Sequence, residues 1–311
     1  MGTTTYHGFE GGLYPEGRNE PPQLHARVGI ERGALIQPLN LDGEPDPNGK
    51  MVLLIVGMSN VTQEVCGARQ GRASCLPWTF IGLTEQEPDI HPGLVIVDGA
   101  RGGQVAELWD SPTDDNYERV SQILTTLELS ENQVQAVWVK EANLGPRFSL
   151  PSEQADAYQL VQSFGDIVRA LKIRYPNLQQ VFFSSRIYAG FTTYRLNPEP
   201  FAYESGFSVK WFVEAQINQM EGVDTPLNTL AGDLDYDTVA PWVAWGPYLW
   251  ANGTEPRSDG LVWTVEDFDA RDFTHPSEAG ERKVAELLLE FFKTSPFTRC
   301  WFLSQGVCEE G

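Results

Sequence analysis

Runs of apolar residues broken by polar clusters set the outline of this chain. Residues 51–60, MVLLIVGMSN, start as an unbroken aliphatic run and stop abruptly at Gly57-Met58-Ser59-Asn60. A short run of this kind closed by glycine predicts a strand buried on both faces. Residues 94–98 (LVIVD), 134–139 (VQAVWV) and 181–184 (VFFS) repeat the pattern, and 242–245 (WVAW) predicts one more strand. Between the strands the spacing turns helical. A helix opens at 60–69; Val120, Ile123, Leu124 and Leu127 share one face of 116–129; Leu160, Val161, Phe164, Ile167, Val168 and Leu171 share one face of 155–175. After Pro276 a last helix carries Val284, Leu287, Leu288 and Phe291 on its inner side.

Strand alternating with helix calls for a parallel sheet covered on both faces, so the predicted fold class is α/β, a three-layer α/β/α sandwich with a mainly parallel central sheet. The alternation covers residues 50–297, read as one domain. Residues 1–49, rich in Gly, Pro, Glu and Asn, read as an irregular arm. Residues 186–263 read as an aromatic-rich insertion with one helix at 205–220, and 298–311 as a short tail.

Composition narrows the function. With 43 acidic against 22 basic residues the chain carries a net charge of −21 and no local basic patch, which argues against nucleic acid and anionic membrane as partners. No apolar stretch is long enough to span a bilayer. The four cysteines fall into two local pairs, Cys66 with Cys75 and Cys300 with Cys308, which predicts two disulfides and an oxidising compartment. The chain therefore reads as the mature form of a secreted or extracytoplasmic protein, without a signal peptide. No CxxC occurs and the four histidines are scattered, so no metal or other cofactor is expected.

Ser59, just past the end of a buried strand, stands where open α/β sheets place their ligands. A serine hydroxyl is a weak nucleophile until a neighbouring base takes its proton. His7 and His25 lie in the arm, and His91 sits beside Pro92 with no carboxylate placed to orient it. His275 differs: Asp272 precedes it by three residues in a loop that enters the last helix, so a carboxylate can fix the imidazole tautomer. Ser59, His275 and Asp272 thus supply nucleophile, base and orienter. Arg101 and Arg186, just beyond strand ends, and the aromatic residues Tyr188 and Trp245 are candidates to touch substrate, since aromatic faces suit sugar rings and aryl groups.

Gly57-Met58-Ser59-Asn60, the Gly102-Gly103 pair after the second strand, Glu141-Ala142-Asn143 after the third and Asp272-Phe273-Thr274-His275 near the end together resemble the four blocks of SGNH (GDSL-type) hydrolases. The resemblance spans roughly 51–292 and is greatest to the sialate O-acetylesterase and carbohydrate acetylesterase branch. It implies a flavodoxin-like fold, a Ser59–His275–Asp272 triad, and an oxyanion hole of the Ser59 N–H, the N–H of Gly103 or its neighbour Gly102, and the Asn143 side chain. The third block lacks the glycine usual in the family, so either Asn143 or Glu141 can hold the family position, and Lys140 reads as a surface replacement. The implied activity is hydrolysis of small acyl esters, acetyl first, on carbohydrate. Alternatives are a lipase or arylesterase, an acyltransferase, or a carbohydrate-binding module without chemistry.

Overall fold

The computed structural model describes residues 1–2, 4–67 and 74–308. Five strands form one parallel sheet: β1 (Met51–Gly57), β2 (Leu94–Asp98), β3 (Val134–Lys140), β4 (Gln180–Phe183) and β5 (Trp242–Trp245), in the order β2-β1-β3-β4-β5. This is the doubly wound order of flavodoxin-like sheets. The chain leaves β1 toward β2, crosses back to β3, and so opens a crevice above the carboxyl ends of β1 and β3.

Alternate residues of each strand feed two cores. Val52, Leu54, Val56, Val137, Val139, Val181 and Phe183 face a layer built by α4 (Asp115–Thr126), α5 (Asp156–Arg174), α6 (Phe201–Met220) and the short α7 (Pro226–Ala231). Leu53, Ile55, Ala136, Trp138 and Phe182 face α2 (Ser59–Val65), α3 (Phe80–Thr84) and α8 (Glu278–Thr294). The three-layer α/β/α sandwich expected from the sequence is therefore the fold. The helix expected at 60–69 ends at Val65, and Arg69 lies outside the described residues.

Two stretches differ from expectation. The arm is not irregular throughout: a two-stranded hairpin (Thr5–Tyr6 with Phe9–Glu10) is followed by the twelve-residue helix α1 (Gln23–Ala34). Its buried stripe is His25, Gly29 and Gly33, at i, i+4 and i+8. A stripe of small and polar residues carries no hydrophobic period, so the sequence pattern passes over it. Gly29 is there because a Cβ would stand 2.3 Å from the Trp242 ring, and His25 Nε2 bonds the Val243 carbonyl at 2.9 Å. Burial pulls the His25 pKa down to about 4, which keeps the ring neutral.

The second is α6, which starts at Phe201 and is buried on most sides, including Ser205, Ser208, Lys210 and Gln216. Those polar groups are satisfied: Ser208 Oγ donates to the Ala157 carbonyl, and Gln216 Nε2 to the Leu234 and Pro241 carbonyls. The helix expected at 205–220 is thus present and begins four residues earlier, at Phe201. The tail also packs inward. α9 (Arg299–Phe302) buries Trp301, whose indole donates to Gln180 Oε1 at 3.0 Å. Both expected disulfides, Cys66–Cys75 and Cys300–Cys308, are present.

Candidate active site

β1 ends at Gly57 because nothing larger fits: a Cβ there would lie 2.3 Å from Val61 and 3.0 Å from the Lys140 carbonyl. The chain then turns directly into α2, which leaves Ser59 as its first residue above the sheet edge. The block after β2 is tied to this turn, with Arg101 N donating to the Gly57 carbonyl at 3.0 Å. Gly102 packs close to the nucleophile: a Cβ built on it would lie 3.6 Å from the Ser59 Cβ. Gly103 adopts φ +77° and has nothing within 4 Å of a would-be Cβ, so its backbone faces open space beside Ser59.

The loop before α8 brings in the other two groups. Asp272 Oδ1 accepts the backbone N–H groups of Thr274 (2.8 Å) and His275 (2.9 Å), while Oδ2 lies 2.7 Å from His275 Nδ1. His275 Nε2 lies 2.8 Å from Ser59 Oγ. With Nδ1–H donating to the carboxylate, Nε2 carries the lone pair that accepts the Ser59 hydroxyl. Burial alone would push the Asp272 carboxyl up. The two backbone N–H groups and the imidazole outweigh it and hold the pKa below the usual range. Phe273, between the two, sits at φ +50°, a left-handed turn that lets Asp272 reach back to its own loop. Asn60 Nδ2 donates to the Thr274 carbonyl at 3.0 Å, which clamps α2 to this loop.

Asn143 lies across from Ser59 on the same narrow cleft as Gly103 and His275. Its Nδ2 gives one hydrogen to the Asp156 carbonyl at 3.0 Å, and the Asn197 side chain holds its carbonyl at 2.9 Å. The second N–H of the amide has no partner among the described residues. Ser59, His275, Asp272, Gly103 and Asn143 thus converge from separate stretches of chain, as the sequence blocks imply.

Of the further candidates, the cleft takes only Arg186. Arg101 is exposed and lines none of the cavities around Ser59. Glu141 is 1% exposed beneath the cleft, and neither carboxylate oxygen has a hydrogen-bond partner; burial raises its pKa well above the ordinary value. Trp245 is a core residue whose indole donates to the Leu13 carbonyl, and Tyr188 packs on Phe191 and Trp250. Packing among aromatic neighbours, not substrate, accounts for these two.

Lys140 is not on the surface. It is 0% exposed and pairs with both oxygens of the equally buried Glu64 of α2. β3 ends inside the molecule, so its last residue needs a counter-ion that α2 supplies. Burial lowers the Lys140 pKa to about 8 and raises that of Glu64, with each partner opposing the other's shift.

Three cavities meet at the Ser59–His275 pair. A basin of about 520 Å³, edged by Gln63, Leu76, Trp78 and Arg271, opens on one side. A second of about 410 Å³ runs past Tyr194, Leu196 and His275. The third is a narrow cleft of about 80 Å³ walled by Met58, Val105, Leu144 and Leu196, with Asn143 and Arg186 among its polar groups. Trp78, Leu76 and Leu196 lie in loops without periodicity, and no signal in the sequence marks them as lining residues.

No family model matches the chain, and no curated protein matches it. Solved structures do. A Bacillus subtilis protein aligns at 13% identity over 80% of this chain and 58% of its own, with a TM-score of 0.40. A carbohydrate acetylesterase from Sinorhizobium meliloti aligns at 13% identity over 76% of this chain and 95% of its own, TM-score 0.38. A GDSL-like lipase from Bacteroides thetaiotaomicron aligns at 12% identity over 86% and 95%, TM-score 0.38. The chain thus spans little more than half of the Bacillus protein. Likeness at such TM-scores carries no argument about chemistry, which rests on the site itself.

Proposed function

We propose that this chain is a serine ester hydrolase of the SGNH type that removes small acyl groups, acetyl first, from carbohydrate. The observation that carries the reading is the unbroken line Asp272–His275–Ser59, at 2.7 and 2.8 Å. Ser59 Oγ attacks the ester carbonyl as His275 Nε2 takes its proton, and Asp272 stabilises the imidazolium that results. The oxyanion is met by the N–H groups of Ser59 and Gly103 and by Asn143 Nδ2, each worth about 3 kcal/mol in comparable sites. The imidazolium returns its proton to the leaving alcohol. A water activated the same way then releases the acid.

The cavities support small acyl groups and a polar alcohol. His275 lines the second wide basin and Ser59 the first, so a bulky alcohol whose leaving oxygen meets His275 is given these two basins, whose walls include Gln63, Asp269 and Arg271. The acyl group is left with the narrow cleft, whose 80 Å³ holds about five to eight non-hydrogen atoms at roughly 10–15 Å³ each. The two disulfides fit an extracytoplasmic setting. Comparison of acetyl with octanoyl p-nitrophenyl esters, and acetate release from acetylated polysaccharides, test the reading. A clear octanoyl preference would overturn the small-acyl assignment, and glycan binding without turnover of any ester would overturn the enzyme.

A further inference from the structure

Arg186 is the one strongly charged side chain on the acyl cleft that the proposed chemistry leaves unused. It follows β4, is 5% exposed, and lines the cleft together with Ser59, Gly103 and Asn143. Its guanidinium makes no hydrogen bond or ion pair with any described side chain or carbonyl, and its Nε is buried without a partner. Guanidinium carries five donors in a rigid fork that matches a carboxylate, and leaving such a fork buried and empty is costly.

The charges around it do not supply the missing acceptor. Glu64 is engaged with Lys140, Glu199 accepts the Ala189 and Tyr203 N–H groups and the Trp250 indole, and Glu141, which burial disfavours as a carboxylate, makes no hydrogen bond to another side chain. None of the three carboxylates around Arg186 therefore bonds its guanidinium, and the cleft that it lines is where an acceptor can meet it. An acetyl group, with three non-hydrogen atoms, fills only part of a cleft that holds about five to eight, a range that takes in the seven of a succinyl group.

We propose that Arg186 receives a carboxylate at the far end of the acyl group, so that the site also hydrolyses half-esters of short dicarboxylic acids and favours them over neutral acyl esters of equal length. This activity rests on the esterase reading above and extends it. Ser59 Oγ bonds to the ester carbonyl carbon, the C–O bond to the alcohol breaks, and the alcohol leaves with the proton carried by His275. Water then cleaves the acyl–Ser59 bond and releases the diacid. No oxidant, reductant or metal enters the balance.

The test compares p-nitrophenyl acetate, butyrate and hemisuccinate on the wild-type protein, after subtraction of spontaneous hydrolysis. The expected kcat/KM for hemisuccinate exceeds that for butyrate by roughly 10- to 100-fold, the worth of a charge-assisted hydrogen bond, and Arg186→Met brings the ratio to about one. Because a buried arginine can be needed for folding, a second measurement uses wild type alone. Free succinate is expected to inhibit acetate hydrolysis at a concentration at least about tenfold below that of butyrate. Acetate turnover without either preference overturns the proposal and leaves the esterase standing, whereas absence of turnover on every ester overturns both. A carboxylate preference seen only with acetylated galacturonate over acetylated galactose, and not on the acyl chain, also overturns the acyl-side placement.

Discussion

Asp272 does more than orient an imidazole. One oxygen collects the N–H groups of Thr274 and His275 while the other holds Nδ1, so a single carboxylate shapes the loop and fixes the tautomer. Asp272→Asn should therefore lower kcat by about 10⁴-fold, as loss of the orienting carboxylate does in serine-protease triads. Ser59→Ala should abolish turnover with the melting temperature unchanged. Asn143→Ala, which removes an oxyanion donor, should cost about 10²–10³ in kcat with little change in KM. The hydrogen-bonded line from Ser59 through His275 to Asp272 is legible in the sequence, because a serine at a strand end has one suitably placed histidine among four to pair with. Arg186 is legible there only as a residue past a strand. That no acceptor meets it depends on what distant stretches of chain bring near, which no local pattern contains.

At the scale of elements, buried ionic groups hold helices to the sheet and make stability depend on pH. Glu204 of α6 accepts Tyr6 Oη at 3.0 Å and the Leu150 N–H at 3.0 and 3.1 Å, and so pins the hairpin to the helix. Burial, with repulsion from Asp156 and Glu199, raises its pKa from 4.5 to about 7 in spite of those donors. The folded state thus keeps a proton that the unfolded chain has lost between these values, so stability falls as pH rises through that window and levels off above it. Glu204→Gln should flatten the slope, read from thermal melts at about pH 5 and about pH 8. For the Lys140–Glu64 pair, Lys140→Met alone should cost about 3–5 kcal/mol in denaturant titrations, and adding Glu64→Leu should recover most of it. Helices with one apolar stripe, such as α5, are legible in the sequence. So is α6 from 205 onward, with only its first turn missed, whereas α1 is not legible, because it buries a stripe of His and Gly.

Over the whole molecule, a net charge of −21 surrounds a cleft that holds a buried cation. An anionic ester must approach against the outer field before it meets Arg186. Raising ionic strength from about 0.01 M to about 0.15 M shortens the Debye length from roughly 30 to 8 Å. It should therefore raise kcat/KM for hemisuccinate relative to neutral acetate, measured as the ratio of the two across a salt series. A fall in that ratio would mean that surface acidity does not reach the cleft mouth.

The contact between His275 and Ser59 joins positions 216 residues apart. The imidazole is carried by the loop that α8 presses into place, where Gly280 comes so near the Asp267 carbonyl that a Cβ would lie 2.1 Å from it. A contact of such sequence separation forms late, because loop-closure entropy is met before non-local contacts reward it. Hydrolysis is consequently a reporter of completed topology: in refolding, turnover should return only after helical signal has recovered.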